Sequence, residues 1–202
     1  MRRAGLLAPL LLVPLAACGA GDPPYTGLAE AVCDGLGAPA LVRSSYPGMT
    51  VSAEETVEGT GRDATRVCGI ELGAQDGRTL SISVELELFG EDVPDEDFER
   101  LASIDVADYQ DDGAEQGAGH ESATEGWWAE GLHRETSWTD PRGDGGVGGY
   151  LGTDAVRRDN LLVTVLVIDR DNPVTDPRAI AATHAKVVSA LLERAEDLAR
   201  RD

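Results

Sequence analysis

Basic charge is scarce in this chain. Its 202 residues hold 17 lysines and arginines against 37 aspartates and glutamates, a formal charge of −20 at pH 7, and the one lysine is Lys186. Phosphate backbones and anionic lipid surfaces repel such a chain, which excludes nucleic acid as a partner and excludes charge as the means of reaching a membrane. Cysteine and histidine are as rare, with three of each. No histidine stands at ligand spacing from a cysteine, so a structural zinc site is not expected. Long apolar runs are missing too. A spanning helix needs roughly 20 consecutive apolar residues, and the one apolar stretch near the start is shorter and is interrupted by Pro9 and Pro14.

That stretch has another reading. Arg2 and Arg3 make a positive leader, the residues from Gly5 to Val13 make a short apolar region, and Ala16 and Ala17 supply the small residues of a cleavage site. This is the layout of a signal peptide, residues 1–17. Leu15-Ala16-Ala17-Cys18 resembles the lipobox of bacterial lipoproteins, in which the cysteine sulfur takes a diacylglyceryl group and the new amino terminus is then acylated. The alternative is an ordinary secretory signal followed by an accidental cysteine. Each buried CH₂ contributes about 0.8 kcal/mol, so one acyl chain binds reversibly and two or three hold stably. The expected location is therefore the extracytoplasmic face of the cell membrane, lipid-anchored through Cys18. Residues 18–25, rich in glycine and proline, read as the tether, and residues 26–202 as a single extracytoplasmic domain.

Setting Cys18 aside leaves Cys33 and Cys68, an even number in an exported chain, where oxidation favours a disulfide. Closing that loop stabilises by roughly 4 kcal/mol in the chain-entropy model. Two free buried thiols are the alternative. Loss of Arg2 and Arg3 takes the 17 basic residues to 15 against 37 acidic ones, moving the formal charge from −20 to −22.

Periodicity predicts an α+β fold with a largely antiparallel sheet. Thr79 to Leu88 alternates strictly between apolar and polar, the pattern of a strand with one buried and one wet face. Leu161 to Ile168 is apolar on both parities except Thr164, the pattern of a central strand. Weaker strands are expected over 49–57, 64–72, 127–138 and 147–156. Helices are expected over 26–36 with Thr26 as its cap, after Pro94 with Phe98 and Leu101 inward, and after Asp176 with Pro177 in the first turn. The last carries an apolar stripe of Ile180, His184, Val187, Leu191 and Leu198. A shift of 79 residues lays Ile82, Val84, Leu86 and Leu88 on Leu161, Val163, Val165 and Val167, and Pro94 on Pro173. Two α-β-β-β units closed by a C-terminal helix would explain this echo, and chance similarity of two strand-to-helix junctions would explain it equally.

The lipobox Cys18, the Gly/Pro tether, Cys33 on a first helix, Cys68 in "RVCGIEL", the regular strand "RTLSISVELELF" and the amphipathic last helix together resemble the small actinobacterial cell-envelope lipoproteins with a two-cysteine domain of unknown function. The tandem plan is similar to the Mog1/PsbP-like fold. What this resemblance implies is a non-catalytic, extracytoplasmic role, with no catalytic residues to carry over.

Candidate chemical sites are few. Asp108, Asp112 and Gly113 match positions 1, 5 and 6 of a calcium loop, but Gln110 takes position 3 and Gly119 stands where the bidentate glutamate belongs; an acidic solvated loop is the expectation, and no metal site. His120, His133 and His184 are the only bases that titrate near neutrality. No G-x-S-x-G elbow or free thiol accompanies them, so no catalytic residue is assigned. On an extended strand Trp128, Leu132 and Trp138 share one face, which turns Trp127 to the other and makes Trp127 a candidate interface residue. The loop Gly143 to Tyr150 lacks the lysine and helix start of a phosphate loop, and no cofactor is expected. Together these features predict a membrane-anchored, non-catalytic binding or accessory module, its partner an envelope protein or a small ligand. The alternative is a secreted hydrolase using acidic residues and one histidine.

Overall fold

The computed structural model describes residues 25–61, 63–101, 115–116, 119–139, 147–172 and 176–200. The leader, Cys18 and the acidic loop from Asp108 to Gly113 lie outside the described residues.

The alternating segment forms β4 (Thr79–Leu88), with Leu80, Ile82, Val84, Leu86 and Leu88 buried and the residues between them half-exposed. Its neighbours on one side are β3 (Asp63–Gly73) and β2 (Thr50–Thr60), and on the other β9 (Leu161–Arg170), β8 (Val147–Arg158) and β7 (Glu130–Thr139). All these pairings are antiparallel, in the order β2-β3-β4-β9-β8-β7, and the short β5 (Glu115–Gln116) and β6 (His120–Ala123) both pair with β7. The sheet is thus two three-stranded meanders joined at β4 and β9. The 79-residue shift carries Glu85 onto Thr164, and those two residues face each other across that central ladder, as two strand-equivalent halves related by a local two-fold would require. The fold class is α+β. β9 is buried along most of its length, as an apolar run on both parities demands.

One face of the sheet carries α1 (Val32–Gly35), α2 (Ala38–Ser45) and α4 (Pro177–Ala195). The core between them joins Val32, Leu36 and Val42 to the even-numbered residues of β4 and to Ile180, Val187 and Leu191 of α4. Each such leucine or valine contributes about 1.5–3 kcal/mol by leaving water. The opposite face holds a smaller cluster in which Phe98 of α3 (Asp95–Leu101) and Val93 meet Ala155 and Leu162. α4 begins as its sequence dictates: the Asp176 side chain accepts from the Arg178 N–H, and Pro177 occupies the first turn.

The helix expected over 26–36 is a correction. Gly27–Leu28 is a short strand, β1, paired with β10 (Ala199–Arg200), and α1 spans only Val32–Gly35. Gly37, with a φ of 58°, starts α2, whose Pro39 sits in the first turn. Tyr25, assigned to the tether by sequence, is fully buried. Its backbone is held by Asn160 in the two-residue β8–β9 turn: Asn160 Nδ2 donates to the carbonyls of Tyr25 and Phe89, and Asn160 Oδ1 accepts from the Tyr25 N–H. That turn ties the entering chain to the end of β4.

Candidate functional site

Strand alternation puts Tyr150, Gly152 and Asp154 of β8 on the face that α4 covers. The register sets His133 of β7 directly opposite Asp154 and Glu135 opposite Gly152. His133 Nδ1 lies 3.0 Å from Asp154 Oδ2, and its Nε2 lies 3.4 Å from Glu135 Oε2. The same Glu135 oxygen accepts from the Tyr150 hydroxyl at 3.0 Å. The bond to Asp154 raises the imidazole pKa against the opposing pull of burial, and Glu135 adds to the rise. Protonation is thereby easier than for a free histidine, and an imidazolium here would face a carboxylate from each ring nitrogen.

A second histidine lies behind the first. The rings of Tyr150 and His184 are 4.9 Å apart. His184 Nε2 is 3.0 Å from Asp169 Oδ2, and its Nδ1 is 2.6 Å from the Tyr46 hydroxyl. Asp169, at the end of β9, also accepts from Arg78 Nε at 3.0 Å, from Arg78 Nη2 at 2.6 Å and from Asn172 Nδ2 at 2.7 Å. Burial alone would raise the Asp169 pKa, but the bonds from His184 and Arg78 outweigh it and hold the carboxyl below its ordinary value. Burial, reinforced by Asp169, pushes the Tyr46 phenol well above its own.

Asp169, His184 and Tyr46 have the connectivity of an acid, an imidazole and a hydroxyl, yet the arrangement is wrong for nucleophilic chemistry. A nucleophile needs an adjacent base or a lowered pKa, and in either case an approach for substrate. Tyr46 is 4% exposed and His184 1%, and the phenol is driven the opposite way. The chain of bonds instead locks α2, α4, β9 and the β3–β4 turn together. His133 has a carboxylate against each ring nitrogen, which leaves neither facing a substrate proton. Among the described residues no group of three His, Cys, Asp or Glu side chains is placed to hold a metal ion.

Two cavities flank the His184–Tyr150 contact. A cleft of about 170 Å³ lies between α4 and the β6–β7–β8 wing, lined in part by Ser122, Thr124, His133, Tyr150, Asp154 and Ser189. A second, of about 230 Å³, is lined by Tyr46, Arg78, Asn172 and His184. Gly152 keeps the first open: a Cβ there would stand 2.6 Å from the Tyr150 hydroxyl oxygen and 2.9 Å from its ring.

Of the residues singled out in the sequence, Cys33 and Cys68 are joined as a disulfide between α1 and β3. Glu55 Oε2 accepts from the Cys33 N–H beside it, at 3.0 Å. His120 is exposed at the start of β6. The parity argument for the tryptophans is corrected, because β7 begins at Glu130 and both Trp127 and Trp128 precede it in a bend. Both indoles are half-buried against the main core and lie edge to face. Trp127 Nε1 donates to the Leu192 carbonyl, and Trp128 Nε1 donates to the Thr124 carbonyl. Gly126 has no side chain to displace the Trp128 ring, which is what permits the bend. Trp138 is buried across from Gly149. Tyr46, Tyr150, Asp154 and Asp169 were not singled out; Asp169 alone left a signal, a polar residue at the inward parity of a strand whose other residues there are Leu161, Val163, Val165 and Val167. The chain matches no protein-family model, no curated protein and no solved structure.

Proposed function

We propose that the protein is a lipid-anchored, extracytoplasmic binding or accessory module that performs no chemistry of its own. The observation that carries this reading is the state of its inward histidines: each has both ring nitrogens engaged by a neighbour, while a small polar cleft remains beside them. Such a site can hold a molecule and has no activated nucleophile to attack it. The anchoring part rests on Leu15 to Cys18 and the short apolar leader, and it agrees with the resemblance to two-cysteine envelope lipoproteins. The export part is favoured by the Cys33–Cys68 bridge, since disulfides persist in oxidising compartments.

The test has two arms. Cells expressing the wild-type chain should incorporate labelled palmitate into it and retain it in the membrane fraction, whereas Cys18→Ser should be unlabelled and released or left unprocessed. A Ser variant that is cleaved normally and stays firmly membrane-bound would overturn the anchor. The purified wild-type chain should hydrolyse no ester, amide, phosphate or glycoside probe. Turnover abolished by His133→Asn or His184→Asn would move the protein to the hydrolase reading.

A further inference from the structure

We propose that the cleft between α4 and the β6–β7–β8 wing is a receptor site for a small organic cation of the alkylammonium class. The inference rests on the reading of this cleft as a binding site and adds the charge and size of its occupant.

Charge decides the sign. Asp154 is the one carboxylate among the residues that line the cleft, beside His133, and Glu135 lies against the far nitrogen of that imidazole. With the imidazole protonated the three sum to one negative charge, and the Arg78–Asp169 pair behind His184 is internally neutral. Asp154 is 6% exposed, and its one hydrogen bond is from His133 to Oδ2. Its carboxylate therefore retains acceptor capacity toward the cleft it lines. An anion would find the opposite: both His133 nitrogens already face carboxylates, and the Tyr150 proton is spent on Glu135. The 20 excess acidic residues of the chain add a long-range field of the same sign.

The walls supply acceptors suited to an N⁺–H donor. Ser122 and Thr124 come from the β6 side and Ser189 from the exposed flank of α4. Thr124 Oγ1 is a buried atom with no hydrogen-bond partner among the described residues. A buried hydroxyl without a partner destabilises the fold, and a donating ligand in the cleft would remove that cost. Apolar contact is available from Val167 and Val188, suiting a short alkyl chain. Among the described residues no group of three His, Cys, Asp or Glu side chains is placed to hold a bare metal ion, and a volume of about 170 Å³ excludes a folded partner or a nucleotide.

The experiment titrates the full-length protein, purified in a non-ionic detergent, with n-butylammonium, n-butanol and butyrate. These probes match in length and differ in charge. Amide chemical shifts and calorimetry are read together. Butylammonium should bind saturably, shift the amides of Ser122, Gly152 and Ser189, and bind at least tenfold more tightly than butanol or butyrate. Asp154→Asn should weaken butylammonium at least tenfold. Because that change touches the His133 pair and could disturb folding, Ser189→Phe serves as a second variant: it fills the cleft from the helix side and should abolish binding with the melting temperature held. Equal binding of the three probes, absence of saturable butylammonium binding, or binding indifferent to Ser189→Phe overturns the assignment. Consumption of butylammonium would instead overturn the non-catalytic reading, and neither result bears on palmitate incorporation.

Discussion

In the first half of the sheet, β2-β3-β4, the strand residues turned toward the helices include Cys68, Ile70 and Leu72, then Leu80 to Leu88 at every second position, and a disulfide stitches α1 to the middle strand. In the second half, β7-β8-β9, the same face carries His133, Glu135, Tyr150, Gly152 and Asp154 before becoming apolar again on β9. One layer of helices covers both. Where the first half gains stability from area and a covalent link, the second submerges charges whose desolvation is repaid only if every partner is present. The second half is thus the conditional one, and the cleft lies within it.

The largest expected effect breaks the conditional half at its deepest point. Asp169→Ala leaves the Arg78 guanidinium and His184 without their shared acceptor, and removing one partner of a buried pair costs about 3–5 kcal/mol. Urea unfolding should show a loss of that size, and Arg78→Met added to it should restore part of the loss. A loss under about 1 kcal/mol would mean the network is ornamental and the two halves are equally robust. Next comes the covalent link of the first half. Cys33→Ala with Cys68→Ala should cost roughly 4 kcal/mol if loop closure sets its value, and peptide mapping without reductant should find the bridge in the wild-type chain. A pair of free, alkylatable thiols in freshly isolated protein contradicts it.

A smaller effect is expected at the cleft. Gly152→Ala sets a methyl against the Tyr150 hydroxyl and ring, and that ring also packs against His184. Overpacking of this kind costs about 1–3 kcal/mol. The Tyr150–Glu135 bond should weaken with it, visible as faster exchange of the phenolic proton. A variant as stable as wild type, with Tyr150 unmoved, would show that this wing is looser than its packing implies.

The contrast between halves also sorts what was legible in the sequence. β4 and β9 were readable because alternation and unbroken apolarity are one-dimensional signals, and α4 because Asp176-Pro177 and a 3.6-residue stripe are too. The pairing of the two cysteines followed from counting those left once Cys18 is set aside. The first helix was misjudged because Gly27 and Leu28 are drawn into a two-stranded ladder by Ala199 and Arg200, at the far end of the chain, and no local propensity reports a partner that distant. The tryptophans misled for a related reason: parity is meaningful only inside a strand, and β7 starts three residues after Trp127. The cleft was illegible because it exists only through register. His133 and Asp154 are 21 residues apart, and neither is remarkable until β7 and β8 are laid side by side.

The smallest effect, and the finest probe of the comparison, is a pH dependence confined to the second half. The His133 pKa is raised above its ordinary value of 6.5, first by the bond to Asp154 and then by Glu135. The folded state therefore holds this proton more tightly than the unfolded chain does, and where the native state binds more protons, stability falls as pH rises. The His133 contribution is complete below about 6.5, declines as pH climbs through the raised folded value, and is gone above it. Asp169 runs the other way: its lowered pKa contributes above the ordinary 3.8 and is lost as pH falls through the lowered value, so its effect stays on the acid limb and does not overlap. Unfolding free energies of the wild type and of His133→Gln, measured from pH 5.5 to 9, should differ most at the acid end and converge toward the alkaline end. The same series on the Cys33/Cys68 double alanine variant should give a constant offset, since the bridge does not titrate. A wild-type advantage over His133→Gln that grew with pH would show that the two carboxylates do not hold an imidazolium between them, and would take from the cleft the charge balance on which cation recognition depends.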